Sequence, residues 1–240
     1  MDMKETSVDW WSRRPRKVSV LVDNPSWILP YASDLVARIN RLGDNAELVR
    51  RSGDLKSGDV NFIIGCIDIV PTTFLDLHRR NLVVHESDLP RGRGMSPLTW
   101  QILEGENVIP VCLLYASESV DEGDVVYRDK IKFDGHELID EIRDAQGKLT
   151  IDLCLRFLAE SEIPMGKPQN CTSTYYKRRQ PVDSELDISK SICDQFNLLR
   201  VSDPNLYPAF FKKNGRFYKL KVERLIAPPG GSSNDEENQE

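Results

Sequence analysis

A chain of 240 residues with 40% hydrophobic side chains has enough apolar material for one large domain, or for one domain and a smaller companion. Its net charge of −6 argues against a dedicated nucleic-acid binder, and no apolar run approaches the roughly 18–20 residues of a membrane span. The opening stretch MDMKETSVDWWSRRPRK lacks the apolar region of a secretory signal, and the five cysteines are widely spaced with no C-x-x-C, so the expectation is a reduced, cytoplasmic protein with no metal, no membrane and no nucleic-acid partner.

The first 160 residues alternate between two periods. KVSVLV (17–22) reads as a buried strand closed by the turn residues Asp23, Asn24 and Pro25. YASDLVARINRLG (31–43) follows as a helix, with Leu35, Ile39 and Leu42 spaced by four and three and Gly43 suited to its end. AELVR (46–50) is a short strand, and DVNFIIGCI (59–67) is a continuous apolar strand of the kind found inside parallel sheets. VPTTFLDLHRR makes a short helix or turn before the strand NLVVHE (81–86). SPLTWQILEG (96–105) is a helix, IPVCLLY (109–115) a strand, and DVVYRDKIKF (124–133) an edge hairpin. In HELIDEIRDAQGKLTIDLCLRFL (136–158), Leu138, Ile142, Ala145, Leu149, Leu153 and Phe157 step by three or four, which predicts a long amphipathic helix. Alternation of this kind predicts an α/β domain over 17–160, preceded by an N-terminal extension (1–16). Ligands of such sheets bind beyond the carboxyl ends of the strands.

SEIPMGKPQNCTS (161–173) has the composition of a linker. Residues 171–224 then carry eleven cations against six anions, a net of +5 inside an acidic chain. That local excess suits a phosphate-bearing ligand, or a solvated basic face. Residues 174–227 read as a small substrate-binding subdomain, and 228–240, which hold no apolar side chain beyond proline and glycine, as a disordered tail.

The chemistry-bearing residue of NLVVHESDLPRGRG is His85, at the end of a strand. Asp121, in the tight turn of SVDEGDVV, follows the next strand. An imidazole with a carboxylate partner is the minimum set for moving a proton off an amine or hydroxyl nucleophile.

HESDLPRGRGMSPLTWQILEGE followed by VDEGDVV resembles the folate-dependent formyltransferases, most closely those acting on nucleotide-linked amino sugars, including the enzyme of the pseudaminic acid pathway. His85, Ser87, Leu89, Pro90, Gly94, Pro97, Gly105, Asp121 and Gly123 match the family pattern in order, and the likeness covers about 17–160. It implies a Rossmann-like, mostly parallel sheet with helices on both faces and a small C-terminal α+β subdomain. It implies transfer of a formyl group from N10-formyltetrahydrofolate to the amine of a nucleotide-linked sugar, in the form of a 4-amino-4,6-dideoxy sugar. His85 would be the general acid/base and oxyanion group, and Asp121 would orient it. Ile67, Val70, Ser119 and Asp121 would line the folate slot. Arg178, Arg179 and Arg200 would hold a diphosphate, Tyr207 and Phe210 would stack on a base, and related sugar enzymes imply a homodimer.

One position departs from the pattern: the family asparagine that holds the formyl oxygen is Val83 here. Asn81 cannot replace it, being roughly 13 Å from His85 at about 3.3 Å per strand residue. Losing such a donor costs about 10²–10³ in rate unless a protonated His85, a backbone N–H or Ser87 compensates. Two other functions fit the same residues: a methionyl-tRNA formyltransferase, and a binding protein for folate or nucleotide sugars that has lost turnover.

Overall fold

The computed structural model describes residues 9–226. The expected tail (228–240) and the first eight residues of the N-terminal extension lie outside them.

A single helical turn, α1 (Asp9–Ser12), leads into β1 (Lys17–Leu21), α2 (Leu29–Arg41), β2 (Asn45–Val49), β3 (Gly58–Ile63) and the one-turn α3 (Thr72–Leu75). β4 (His78–His85), the two-residue β5 (Arg93–Gly94), α4 (Pro97–Leu103), β6 (Val108–Tyr115), β7 (Val125–Lys132) and α5 (Ile139–Ala159) complete the larger part. The C-terminal part holds β8 (Tyr175–Tyr176), α6 (Phe196–Val201) and the hairpin β9 (Ala209–Lys213) and β10 (Arg216–Leu220).

Six strands form the central sheet in the order β2-β1-β3-β4-β6-β7. The pairs β1–β2, β1–β3 and β3–β4 are parallel, while β6 runs antiparallel to both neighbours. Five strands therefore point one way and the sheet is mostly parallel. The expected hairpin at 124–133 is instead one eight-residue edge strand paired along β6, with a register shift at Leu113/Leu114. Its central residues Tyr127, Arg128, Asp129 and Lys130 include no Gly, Pro or Asn to make a tight turn, so the run stays extended.

The two faces are covered unequally. On one, Val18, Val20, Phe62, Leu82, Val111 and Leu113 pack against Leu35 and Ile39 of α2, Ile102 of α4, and Ile142, Cys154 and Phe157 of α5. On the other, Leu21, Val49 and Ile63 are covered by the short α3 with Phe74 and Leu75. The main cluster is the larger because each fully buried Leu, Ile or Phe contributes about 1.5–3 kcal/mol and the long helices supply a full apolar stripe.

The described part of the N-terminal extension is built into this core. Trp10 and Trp11 are buried, and Trp11 Nε1 donates to the Glu160 carbonyl (2.9 Å) while its ring meets Phe157 edge-on. Arg16 is fully buried above Trp11 and forks onto Asp44, which also accepts from the Arg16 backbone N–H (2.9 Å) and from Arg14. Arg16 Nη2 also reaches the Leu158 carbonyl (2.7 Å). Burial works against the charge on Asp44, but these hydrogen bonds outweigh it and hold the carboxyl below its ordinary range. The segment just before β1, the α2–β2 turn and the end of α5 are thereby joined.

The C-terminal part has its own small core of Leu186, Leu199 and Ala209, with Phe196, Phe211 and Leu220 against it. β8 pairs with β5, which ties this part to the loop just after His85.

Candidate active site

His85 is the last residue of β4. The strand order reverses beside β1, and the loops after β1 and β3, the end of β4 and the β6–β7 loop enclose a cavity of about 720 Å³ lined by His85 and Asp121 together. A cavity of this size takes a drug-sized ligand.

The two residues do not meet because parallel strands end side by side, as the sequence reading supposes. β6 is antiparallel, so its end at Tyr115 lies opposite Leu82, well before His85. The loop after it doubles back across the sheet face. Asp124 returns its carbonyl to Tyr115 N–H (2.9 Å). Gly123 permits this, since a Cβ there would stand 1.8 Å from the Tyr115 carbonyl oxygen. Asp121 takes a left-handed backbone (φ 56°) at the apex and turns its side chain to His85.

His85 Nδ1 and Asp121 Oδ1 are 3.5 Å apart, and both side chains are only 7% exposed. Nε2 faces the Gly92 carbonyl at 2.8 Å. A ring nitrogen facing a carbonyl must carry hydrogen, so Nε2–H donates and Nδ1 is the nitrogen left for chemistry. At 3.5 Å, Nδ1 and Asp121 are too far apart for a tight hydrogen bond, which leaves Nδ1 able to engage a third polar atom. Asp121 Oδ2 accepts the Gly94 N–H (2.9 Å). Gly94 has φ 97°, and a Cβ there would come 2.4 Å from the Tyr176 carbonyl oxygen, so the β5–β8 contact that aims this N–H requires glycine.

A second brace comes from the expected linker. Gln169 donates to the carbonyls of Asp121 (2.6 Å) and Gly123 (2.9 Å), and its oxygen accepts from Arg93 Nη2 (2.8 Å). Arg93 in turn pairs with Glu122. The stretch 161–173 therefore holds the Asp121 loop as well as connecting two parts of the chain.

The cavity has two unlike ends. Ile67, Ile69, Val70, Leu75, Val83 and Ala116, with Ser119 at the rim, make an apolar end. Val70 belongs at once to this lining and to the packing around Leu21. Cys66 sits there as a neutral wall, its thiol pushed up to about 12 by burial. The other end is polar: Arg143, Asp203, Arg178, Arg179 and Tyr207, with Trp27 beside them. Arg143 Nη2 meets Asp203 at 2.6 Å, and its guanidinium lies 5.7 Å from the Trp27 ring centre. Burial opposes the charge on Asp203, but the Leu206 N–H and Arg143 overcome it and hold this carboxyl below its usual range.

Three expected ligand contacts lie elsewhere. Arg200 is fully buried away from the cavity, bonded to Asn197 and Asn107 and 3.6 Å from Glu137, so it braces α6. Phe210 packs edge-on to Phe217 within the β9–β10 hairpin, outside the cavity lining. Ser87 is buried beneath Gly92, where a glycine Cβ would stand 2.9 Å from its own, and is not among the lining residues; it cannot offer its hydroxyl to a ligand there. Arg179 is buried and held by Ser184 (2.9 Å), whereas Arg178 is exposed.

The sequence reading missed Arg143, Glu86 and Gln146. The signal for Arg143 and Gln146 was the face of α5 that carries Ile139, Ile142, Arg143, Gln146 and Thr150, all on the cavity wall. Glu86 directly follows His85.

Residues 30–153 match the family model described as formyl transferase. The methionyl-tRNA formyltransferase of Prochlorococcus marinus is 25% identical over 190 residues, 75% of this chain and 58% of the relative. This chain thus spans little more than half the length of the curated relatives it matches. Among solved structures, methionyl-tRNA formyltransferase from Clostridium thermocellum superposes with a TM-score of 0.76 at 19% identity, covering 88% of this chain and 93% of the other. A 4-N formyltransferase from Francisella tularensis gives 0.64 at 15% identity, covering 89% and 100%. These likenesses identify the fold. No described helix is long and apolar enough to cross a membrane, and the cysteines are unpaired. With the family model spanning more than half of the sequence, the chain belongs to the formyl transferase family.

Proposed function

We propose that the protein transfers a formyl group from N10-formyltetrahydrofolate to the amine of a nucleotide-linked amino sugar. The observation that carries this reading is one cavity whose wall carries an apolar group, a polar group and the His85–Asp121 pair. A flat heteroaromatic ring suits the apolar end lined by Ile67, Val70 and Ser119. A diphosphate and base suit Arg178, Arg179, Tyr207 and Trp27.

The donor supplies an activated formyl carbon. The chain's own residues position the acceptor nitrogen against it, shield the carbon from water and manage protons. Asp121, aimed by Gly94 and Gln169, sets its carboxylate 3.5 Å from Nδ1 of His85. An Nδ1–H there can donate to oxygen as negative charge develops, which meets the need left by Val83 at the position of the family asparagine. Ser87 is buried outside the cavity lining, and the Gly94 backbone N–H is already given to Asp121.

A methionyl-tRNA acceptor is the second reading, favoured by the names of the curated relatives. The acidic net charge weighs against an RNA carrier. The test offers formyl donor together with a panel of 4-amino-sugar nucleotides and with aminoacylated initiator tRNA. Formylated sugar nucleotide is the expected product. Formylation of the tRNA alone would replace this reading with the second, and tight binding of both ligands without transfer would mark a binding protein.

A further inference from the structure

Resting on the reading above, the reaction has a proton problem. A primary amine at neutral pH is an ammonium with three N–H bonds. The amide formed keeps one, and the donor nitrogen takes one as its bond to carbon breaks. One proton has to pass to the protein or to water before the nitrogen lone pair can attack.

His85 is poorly placed for that first proton. Nε2 already donates to Gly92, and Nδ1–H is committed to the formyl oxygen in the reading above. Glu86 is a further carboxyl on the cavity wall, next in sequence to His85. Its backbone carbonyl is pinned by Gln101 Nε2 (2.6 Å). Gln146, from the facing side of α5, donates to Oε1 at 2.7 Å. A carboxylate has a second oxygen to offer, and the charges that bear on this one are His85 and Asp121, not a neutralising Lys or Arg.

We propose that Glu86 is the first base of the reaction: it meets the acceptor ammonium, takes one N–H proton onto its carboxylate and is aimed for this by Gln146. The proton moves from nitrogen to a carboxyl oxygen, the freed lone pair forms the new C–N bond, and the remaining surplus proton goes to the departing donor nitrogen by way of the His85–Asp121 pair. Burial raises the affinity of Glu86 for a proton above that of an ordinary carboxylate, with the His85 charge and the Gln146 bond pulling the other way. That direction brings the base closer to the acidity of a sugar ammonium, where transfer is most efficient. The other charged groups on the same cavity are Asp68 in the loop after β3, Arg143 with its partner Asp203 on the α5 and α6 side, and Arg178 and Arg179 on the C-terminal side.

The experiment is the pH profile of transfer to an amino-sugar nucleotide for the wild type and for Glu86→Gln, which keeps the shape and a Gln146 contact but cannot ionise. Near neutrality the variant should be about 10²–10³-fold slower. The deficit should shrink as pH rises through the acceptor's own ammonium titration, because free amine then arrives from solution. A rate equal to wild type at every pH, or a loss of constant size across the range, overturns the proposal. Gln146→Met provides an independent arm if the first variant fails to fold. Losing the bond that stabilises the charged carboxylate should move the ascending limb of the profile to higher pH, and an unmoved limb counts against it. If the wild type formylates no amine, the functional reading itself falls; if it does and the profiles run parallel, only the role of Glu86 falls.

Discussion

Replacing Asp121 by Asn isolates the electrostatic half of the site. The carboxylate does two things: Oδ2 accepts the Gly94 N–H at 2.9 Å and Oδ1 faces His85 Nδ1 at 3.5 Å. In the amide, one oxygen becomes NH2. Placing that NH2 against the Gly94 N–H would oppose two donors and forfeit a charge-assisted bond of about 1.5–3 kcal/mol. The amide oxygen therefore stays on Gly94 and the NH2 turns to Nδ1. Nδ1 must then accept, Nε2–H remains on Gly92, and the imidazole is fixed in its neutral form with no carboxylate to favour a second proton. The equivalent change beside a catalytic histidine costs about 10⁴ in turnover, and we expect 10³–10⁴ here, roughly 4–5.5 kcal/mol of barrier. The fold should hardly change, because the Gly94 bond survives. The assay is single-turnover formyl transfer at saturating donor, with a urea midpoint measured on the same preparation. Turnover within about tenfold of wild type, at unchanged stability, would refute the assigned role of the carboxylate.

Gly94→Ala should lose at least the roughly 1–2 kcal/mol of a left-handed backbone, and more as its Cβ drives β5 from β8; a urea titration near wild type would contradict the close approach to Tyr176. Asp44→Asn should cost about 3–5 kcal/mol by stranding buried Arg16, checked by the same titration. Since the folded state holds Asp44 below its usual carboxylate range, its contribution is complete above an unfolded value of about 4 and is lost as pH falls below that. Wild-type stability should drop through that acid window more steeply than that of the variant. Arg178→Ala should raise KM for the sugar nucleotide about tenfold with little change in kcat, since an exposed arginine binds ground and transition states alike; an unchanged KM would remove it from the acceptor site.

The larger part of the fold was legible because its signals are periodic. Leu35 and Ile39 mark α2, Ile142, Leu153 and Phe157 mark α5, and the apolar runs before Asp23, Gly65 and His85 mark β1, β3 and β4. The direction of β6 was not legible: IPVCLLY is as apolar as a parallel strand, and only the connection through α4 decides which way it runs. The pairing of His85 with Asp121 was anticipated, but the reason was not, since it depends on a loop that doubles back over Tyr115 and is held by Gln169 from 48 residues on. Among the cations, the sequence supplies charge without address. Arg200 was drawn into the interior by Asn107 and Glu137, while Arg143, hidden within an ordinary helical pattern, faces the cavity. Trp10 and Trp11 read only as part of an N-terminal extension because no periodic run surrounds them; the burial of Trp11 rests on nearby Arg16 and on Phe157, which is distant in sequence.

The most direct test follows the formyl group itself. Wild type and His85→Ala are given isotopically labelled N10-formyltetrahydrofolate and a 4-amino-sugar nucleotide, with donor affinity measured separately for each. The account predicts labelled formyl on the sugar amine for the wild type, and for the variant retained donor binding with transfer reduced at least a thousandfold, on the order of what a histidine general acid/base and charge stabiliser supplies. Undiminished transfer by His85→Ala, or a wild type that binds donor and passes the label to no amine, would contradict it.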